Sequence, residues 1–138
     1  MSRPLHWCLT LTDVGFLLYW AVAALSQLGL LAIPGEWMYA NYDQPDVIAW
    51  NWSFFPMDLA FSYFGLRAIA AARRGDPRWR PWTIISLTLT MAAGGMAVSY
   101  WALKGELDPF WFGTNLLLVV WPLFFVRGLI AEAATAGT

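Results

Sequence analysis

Trp50-Asn51-Trp52-Ser53-Phe54-Phe55-Pro56-Met57-Asp58-Leu59-Ala60-Phe61 is the stretch on which the reading of this chain turns. It is apolar and aromatic almost throughout, yet it carries a carboxyl group. At the depth of a bilayer core such a group costs about 2.5–3.5 kcal/mol on insertion scales. Asp58 therefore needs a partner, a proton or a task.

The residues on either side make that depth the expectation. The stretch lies inside an apolar run from about Val47 to Ala72, and three more runs extend over about Cys8–Ile33, Pro81–Leu103 and Pro109–Ile130. Each exceeds the roughly 20 residues that cross about 30 Å of hydrocarbon as a helix. The chain of 138 residues is 59% hydrophobic and only 12% charged, against roughly 25% charged in a soluble domain. The connections are short, so successive helices must run antiparallel. The expected fold is an all-α integral membrane protein, a four-helix antiparallel bundle forming one domain over 1–138. The first run has no small-residue cleavage site before Pro34, so it reads as a retained span rather than a signal peptide.

Charge sets the orientation. Arg3, Arg73, Arg74, Arg78 and Arg80 flank the N-terminus and the middle connection, with Arg67 and Arg127 near the same side. The other side has Lys104 alone among Glu36, Asp43, Asp46, Glu106 and Asp108. By the positive-inside rule both termini lie on the cytoplasmic side of a cell membrane. A single cysteine, Cys8, excludes an internal disulfide or a Cys-rich metal site, and the one histidine, His6, sits at the edge of the first run. No metal and no cofactor are expected.

Helical spacing sorts the polar residues within the runs. Asn51, Phe55, Asp58 and Ser62 fall at i, i+4, i+7 and i+11, and share a face if that helix is continuous. Pro56 leaves this open: it either kinks one helix or occupies the first turn of a helix starting near Phe55, where free N–H groups favour a carboxylate. Asp13, Trp20 and Gln27 share a stripe on the first run; Asn115 and Pro122 share one on the last, with Trp111 above and Trp121 adjacent.

Depth divides these groups. Asp13, Arg67 and Arg127 lie at one level near the cytoplasmic boundary, and an ion cluster tying three helices together is expected there. Gln27, Asn51, Asp58, Ser99 and Asn115 lie in the outer half, with no cation at their level. Asp58 is therefore expected to be held protonated, able to donate a proton or a hydrogen bond. The expected site is an outer-half pocket with Asp58 as the acid. Gln27, Asn51, Phe55, Ser62, Ser99 and Asn115 surround it, and Trp52, Trp111 and Trp121 form aromatic walls. The connection 34–46, with Trp37, Tyr39 and Tyr42, reads either as an aromatic belt or as a lid. Ala93/Ala97 and Gly95/Ser99 give the third span small residues four apart, for packing inside the bundle or for a homodimer seam.

The run AWNWSFFPMDL (Ala49–Leu59), together with Asp13 to Trp20 in the pattern Asp-X-Gly-Phe-X-X-Tyr-Trp, resembles a family of small bacterial four-span proteins, the YvaD-like group, and the similarity covers most of the chain. That group implies a fold and no activity. By pattern alone the chain is also similar to the emopamil-binding and sigma-2 receptor superfamily. Its Trp-rich approach to a helix-2 acid and its last-helix Asn and Pro would fall on Trp50, Trp52, Asp58, Asn115 and Pro122. That likeness implies acid chemistry on lipophilic amines or carbocations; membrane terpenoid cyclases likewise place an acid soon after a Trp. Indole faces stabilise cations. The expected function is binding, and acid-catalysed isomerisation or cyclisation, of a hydrophobic isoprenoid- or sterol-like molecule. Membrane lipid and that lipophile are the expected partners, not nucleic acid. A non-catalytic accessory subunit and a small dimeric transporter are the alternatives.

Overall fold

The computed structural model describes residues 1–39 and 41–135. They form α1 (Arg3–Gln27), a short 3-10 turn (Gly35–Trp37), α2 (Pro45–Ser53), α3 (Phe55–Arg73), α4 (Trp79–Lys104) and α5 (Pro109–Thr135). The helix ends follow from local chemistry. The Ser2 hydroxyl accepts from the Leu5 N–H at 3.4 Å. The Asp108 carboxylate caps α5, accepting from Phe110 and Trp111 N–H at 3.0 and 2.9 Å, with Pro109 in the first turn. Gly105 closes α4 at φ +74°, where a side chain would be strained, and the Glu106 N–H returns to the Trp101 carbonyl.

Pro56 resolves the second apolar run into two helices. It has no N–H to give the Trp52 carbonyl, so the ladder is interrupted just ahead of it. Phe54 marks the joint: its N–H turns back to the Asn51 carbonyl at 3.1 Å, and its own carbonyl takes the Asp58 N–H at 2.9 Å. Asp58 thus stands in the first turn of α3. Trp50 to Ser53, immediately ahead of the break, are helical.

α1, α4 and α5 are long and apolar enough to cross a membrane. The polarity of the molecule matches that reading, because it is inverted. Asp13, Asp58, Ser62, Thr83, Ser86 and Thr90 are buried, while Leu11, Leu18, Leu123 and Phe124 face outward. In water an outer surface of that kind would be a large exposed patch.

Packing runs in chain order: α1 lies against α3, α3 against α4, and α4 against α5. α1 and α5 do not pack along each other. Leu5 and Leu9 of α1 meet Val126 and Leu129 of α5 in one core cluster, together with Ile69 and Leu87. This cluster sits at the end where Arg3, Arg73, Arg74, Arg78 and Arg80 gather. A second, aromatic cluster around Trp20, Phe54 and Phe61 fills the opposite half. Gly94 lets α4 and α5 approach: a Cβ there would stand 2.6 Å from the Asn115 carbonyl oxygen and 2.8 Å from Leu118 Cβ. The small residues Ala93, Gly94 and Ala97 are therefore spent inside the bundle, whereas Gly95 and Ser99 face outward.

Candidate functional site

A cavity of about 280 Å³ occupies the aromatic half. Its walls come from five helices and one connection. α1 supplies Leu11, Thr12, Gly15, Phe16, Tyr19 and Trp20; α2 supplies Trp50 and Asn51, with Phe54 at the joint; α3 supplies Asp58. α4 contributes Ala93, Ala97 and Trp101, α5 contributes Trp111, Thr114, Asn115 and Leu118, and the first connection sends in Tyr39. Leu11, Gly15 and Thr114 belong to the lining and are also exposed. The cavity thus opens on the flank between α1 and α5, where those helices do not pack. A Cβ on Gly15 would meet nothing within 4 Å, so that rim position is clear.

Asp58 is 3% exposed. Its Oδ2 accepts a hydrogen bond from Trp20 Nε1 at 2.9 Å, and its Oδ1 has no partner among the described residues. One face further on, Asn51 Oδ1 accepts from the Tyr19 hydroxyl at 3.1 Å, while Asn51 Nδ2 is buried without a partner. The broken run thus holds two unspent buried polar atoms, seven residues apart, on two residues that line one cavity. Buried polar groups without partners are rare and call for an explanation. The walls around them are indoles and phenyls: Trp50 stacks on Tyr100 at 4.0 Å between centroids and meets Trp101 edge-on, and Trp20 meets Phe55 and Trp52. Tyr39 comes from the connection expected to be either belt or lid. Burial pushes its phenol up, and its place in the cavity wall fits a lid, while Trp37 and Tyr42 remain exposed. The Asn41 side chain ties that connection to Glu106 across the same end.

Asn51, Asp58, Trp111 and Asn115 come together here as the sequence suggests. Trp52 and Phe55 stand behind Trp20 and support it without lining the cavity. Ser62 is fully buried one turn below Asp58, also outside the lining. Three expectations are corrected. Gln27 ends α1 exposed, beside a separate small cleft with Trp52. Ser99 faces outward. Trp121 packs against the Arg-rich end's core with Phe125; it lies ten residues from Trp111, nearly three turns away along α5.

The expected ion cluster does not form. Asp13 is 1% exposed, and neither carboxyl oxygen has a partner among the described residues. Arg67 is exposed and lies over the Tyr63 and Trp82 rings, 6.0 Å from each centroid, and Arg127 is exposed. A long arginine at this level reaches outward over aromatic faces more cheaply than it enters the seam. Asp13 instead fits against Gly65, where any Cβ would collide with its carboxyl group.

Trp20, the hydrogen-bond donor to Asp58, is among the lining residues absent from the expected site, with Tyr19, Trp50, Phe54 and Trp101. The signal was present: Trp20 is seven residues from Asp13 on one stripe, and Asp58 is seven residues from Gly65. Antiparallel pairing of those two intervals puts indole opposite carboxyl.

Comparison with known proteins agrees with the resemblance carried by AWNWSFFPMDL. The family DUF5360, described as a family of unknown function, matches residues 5–136. A Bacillus subtilis (strain 168) protein named "Uncharacterized protein YvaD" is 40% identical over 121 residues, covering 88% of this chain and 87% of that relative. No solved structure matches.

Proposed function

The chain belongs to the DUF5360 family, and for this member we propose a lipophile-binding function centred on Asp58, with that carboxyl as a general acid. The ligand is a hydrophobic isoprenoid- or sterol-like molecule, drawn from the membrane through the opening between α1 and α5. The observation that carries this reading is the pair of buried, unspent polar atoms, Asp58 Oδ1 and Asn51 Nδ2, on two residues of a mainly aromatic and aliphatic wall whose other polar side chains include Thr12, Tyr19, Tyr39, Thr114 and Asn115. A volume of 280 Å³ lies just under the roughly 300–1,000 Å³ of small-molecule sites. It suits the reactive end of such a molecule, with the remaining hydrocarbon leaving along the flank.

The chemistry is a proton transfer without redox change. Asp58 O–H adds its proton to one carbon of an alkene. The carbocation formed is held against the faces of Trp50, Trp101 and Trp111. Loss of a proton from a neighbouring carbon to the Asp58 carboxylate forms a new double bond, giving an isomer, or a ring if a second alkene has attacked the cation first. No cofactor enters that balance.

A steroidal tertiary amine, which mimics the cation when protonated, is the probe for the test. It should quench tryptophan fluorescence of the full-length protein in micelles. Asp58→Asn should weaken binding by about tenfold, or 1.4 kcal/mol, and Gly15→Leu should block the mouth. Equal binding by wild type and both variants would assign the polar groups to helix packing and the protein to an accessory role.

We place the chain in the cytoplasmic membrane of a bacterium, with the α2–α3 pair as a fourth crossing and both termini in the cytoplasm. The support is the segregation of Arg3, Arg73, Arg74, Arg78 and Arg80 from Glu36, Asp43, Asp46, Glu106 and Asp108. A cysteine placed at Asn41 should react with an impermeant thiol reagent added outside intact cells, and Cys8 should not. The reverse pattern would invert the topology.

A further inference from the structure

A second buried acid stands in register with the first. On α3, Asp58, Ser62 and Gly65 occupy positions i, i+4 and i+7, one face of the helix turned to α1. On α1, Trp20 and Asp13 are seven apart on the face turned to α3. Trp20 bonds Asp58, and Asp13 abuts Gly65. The two carboxyls therefore lie about 10 Å apart along the seam, at about 1.5 Å per residue, with the Ser62 hydroxyl between them. Ser62 is 0% and Asp13 1% exposed. Asp13 Oδ1 and Oδ2, Ser62 Oγ and Asp58 Oδ1 all lack a partner among the described residues, as does Ser86 Oγ on the neighbouring α4.

The seam also lies between two openings. Asp58 is in the wall of the lipophile cavity. At the Arg-rich end a groove of about 420 Å³ between α1 and α3 is lined by Thr10, Leu66, Ile69, Ala70, Arg73 and Arg74. Thr10 is three residues from Asp13, and Leu66 is next to Gly65. The groove thus ends about one turn short of Asp13, and the exposed Arg73 and Arg74 keep its mouth in water.

We propose that Asp13 and Ser62 form a proton-supply route from the aqueous groove to Asp58. Whenever Asp58 stands ionised with no substrate cation to return its proton, the Asp13 carboxyl releases one to the Ser62 hydroxyl, and the hydroxyl passes its own proton to the Asp58 carboxylate. The Asp13 carboxylate left behind takes a proton from hydronium in the groove. Buried waters bonded to the unspent oxygens of Asp13, Ser62 and Asp58 would span the gaps. Gly65 has a defined part: only a residue without Cβ leaves room for the Asp13 carboxyl against α3. Few other charges compete. α4 buries no titratable group. On α3, Arg67 and Arg73 are exposed; on α1, His6 lies beside the Arg73 guanidinium. Tyr19 is engaged with Asn51 at the cavity end, where Tyr39 also faces in.

The route rests on the reading of Asp58 as the acid, and its test needs no lipophile. Full-length protein in phosphatidylcholine–phosphatidylglycerol vesicles is transferred to D2O. Hydrogen–deuterium exchange of the Asp58 carboxyl is followed by infrared spectroscopy, on the protonated-carboxyl band that Asp58→Asn removes. Asp13→Asn and Ser62→Ala should each slow exchange by about tenfold or more, with the band position unchanged. Gly15→Leu, which closes the cavity mouth, should leave the rate unaltered. Where Asp13→Asn does not fold, Ser62→Ala decides alone. Exchange indifferent to these variants, or slowed by Gly15→Leu instead, overturns the route and leaves the acid reading standing. Absence of any protonated Asp58 band removes the acid reading and the route together.

Discussion

Removing the indole N–H of Trp20 is the sharpest perturbation of the site. Trp20 is 3% exposed and its Nε1 is the protein donor to Asp58, at 2.9 Å. Trp20→Phe keeps an aromatic ring against Tyr19, Trp52 and Phe55 but deletes three ring atoms. At about 0.8 kcal/mol per buried carbon, that loss costs roughly 2 kcal/mol. Asp58 Oδ2 is then left buried without a donor, adding about 1–3 kcal/mol. The single variant should therefore lose about 3–5 kcal/mol. Asp58→Leu orphans the indole N–H instead. In the double variant neither group is left over, so both penalties vanish and its loss should be about 2–6 kcal/mol smaller than the sum of the two singles. The assay is unfolding of the full-length protein in mixed micelles titrated with SDS, followed by far-UV circular dichroism. Additivity of the two substitutions to within about 0.5 kcal/mol would refute the claim that this bond holds the acid in place.

Gly65→Ala should cost about 1–3 kcal/mol by overpacking the seam, and the cost should fall when Asp13→Ala is added; a melt showing no such rescue would separate the two residues. Gly94→Ala should destabilise by a similar amount, because its Cβ meets the Asn115 carbonyl at 2.6 Å, and it should also alter amine binding, since Asn115 lines the cavity; unchanged melting and unchanged binding would contradict the close α4–α5 contact. Outside the bilayer, the Arg78 side chain beside Asp76 holds its carboxyl down to about 2 from an ordinary 3.8. A depressed acid stabilises the fold above its ordinary value and loses that contribution as pH falls. Wild type and Asp76→Asn should therefore differ in melting temperature above pH 3.8 and converge as pH falls toward 2; a gap that stays constant through that window would rule out the pairing.

Much of the cavity can be traced to one short stretch. Trp50, Asn51, Phe54 and Asp58 are neighbours in sequence, and Pro56 breaks the run so that Asp58 enters a first helical turn. Those are local effects, and local chemistry announces them. Asn115 and Trp111 were within reach for the same reason, being four apart on one face of α5. Trp121, ten residues from Trp111, was not, because a stripe of aromatic residues on a membrane helix continues past any cavity it borders.

The sequence by itself determined that the molecule is helical with helices long and apolar enough to cross a membrane, since run length is a property of the chain in one dimension. It also marked Asp58 as anomalous, because an acid among apolar neighbours is costly wherever they pack. Only the tertiary structure decided which groups answer that anomaly. In a soluble protein, apolar periodicity tells which face turns inward. Here both the core and the surroundings favour apolar side chains, so Leu11 and Leu9, two residues apart, carry the same signal and point in opposite directions. Rotation of each helix about its axis had to come from packing. That rotation turned Trp20 toward Asp58, turned Ser99 and Arg67 outward, and brought Asp13 to the one place on α3 where a glycine leaves room for it.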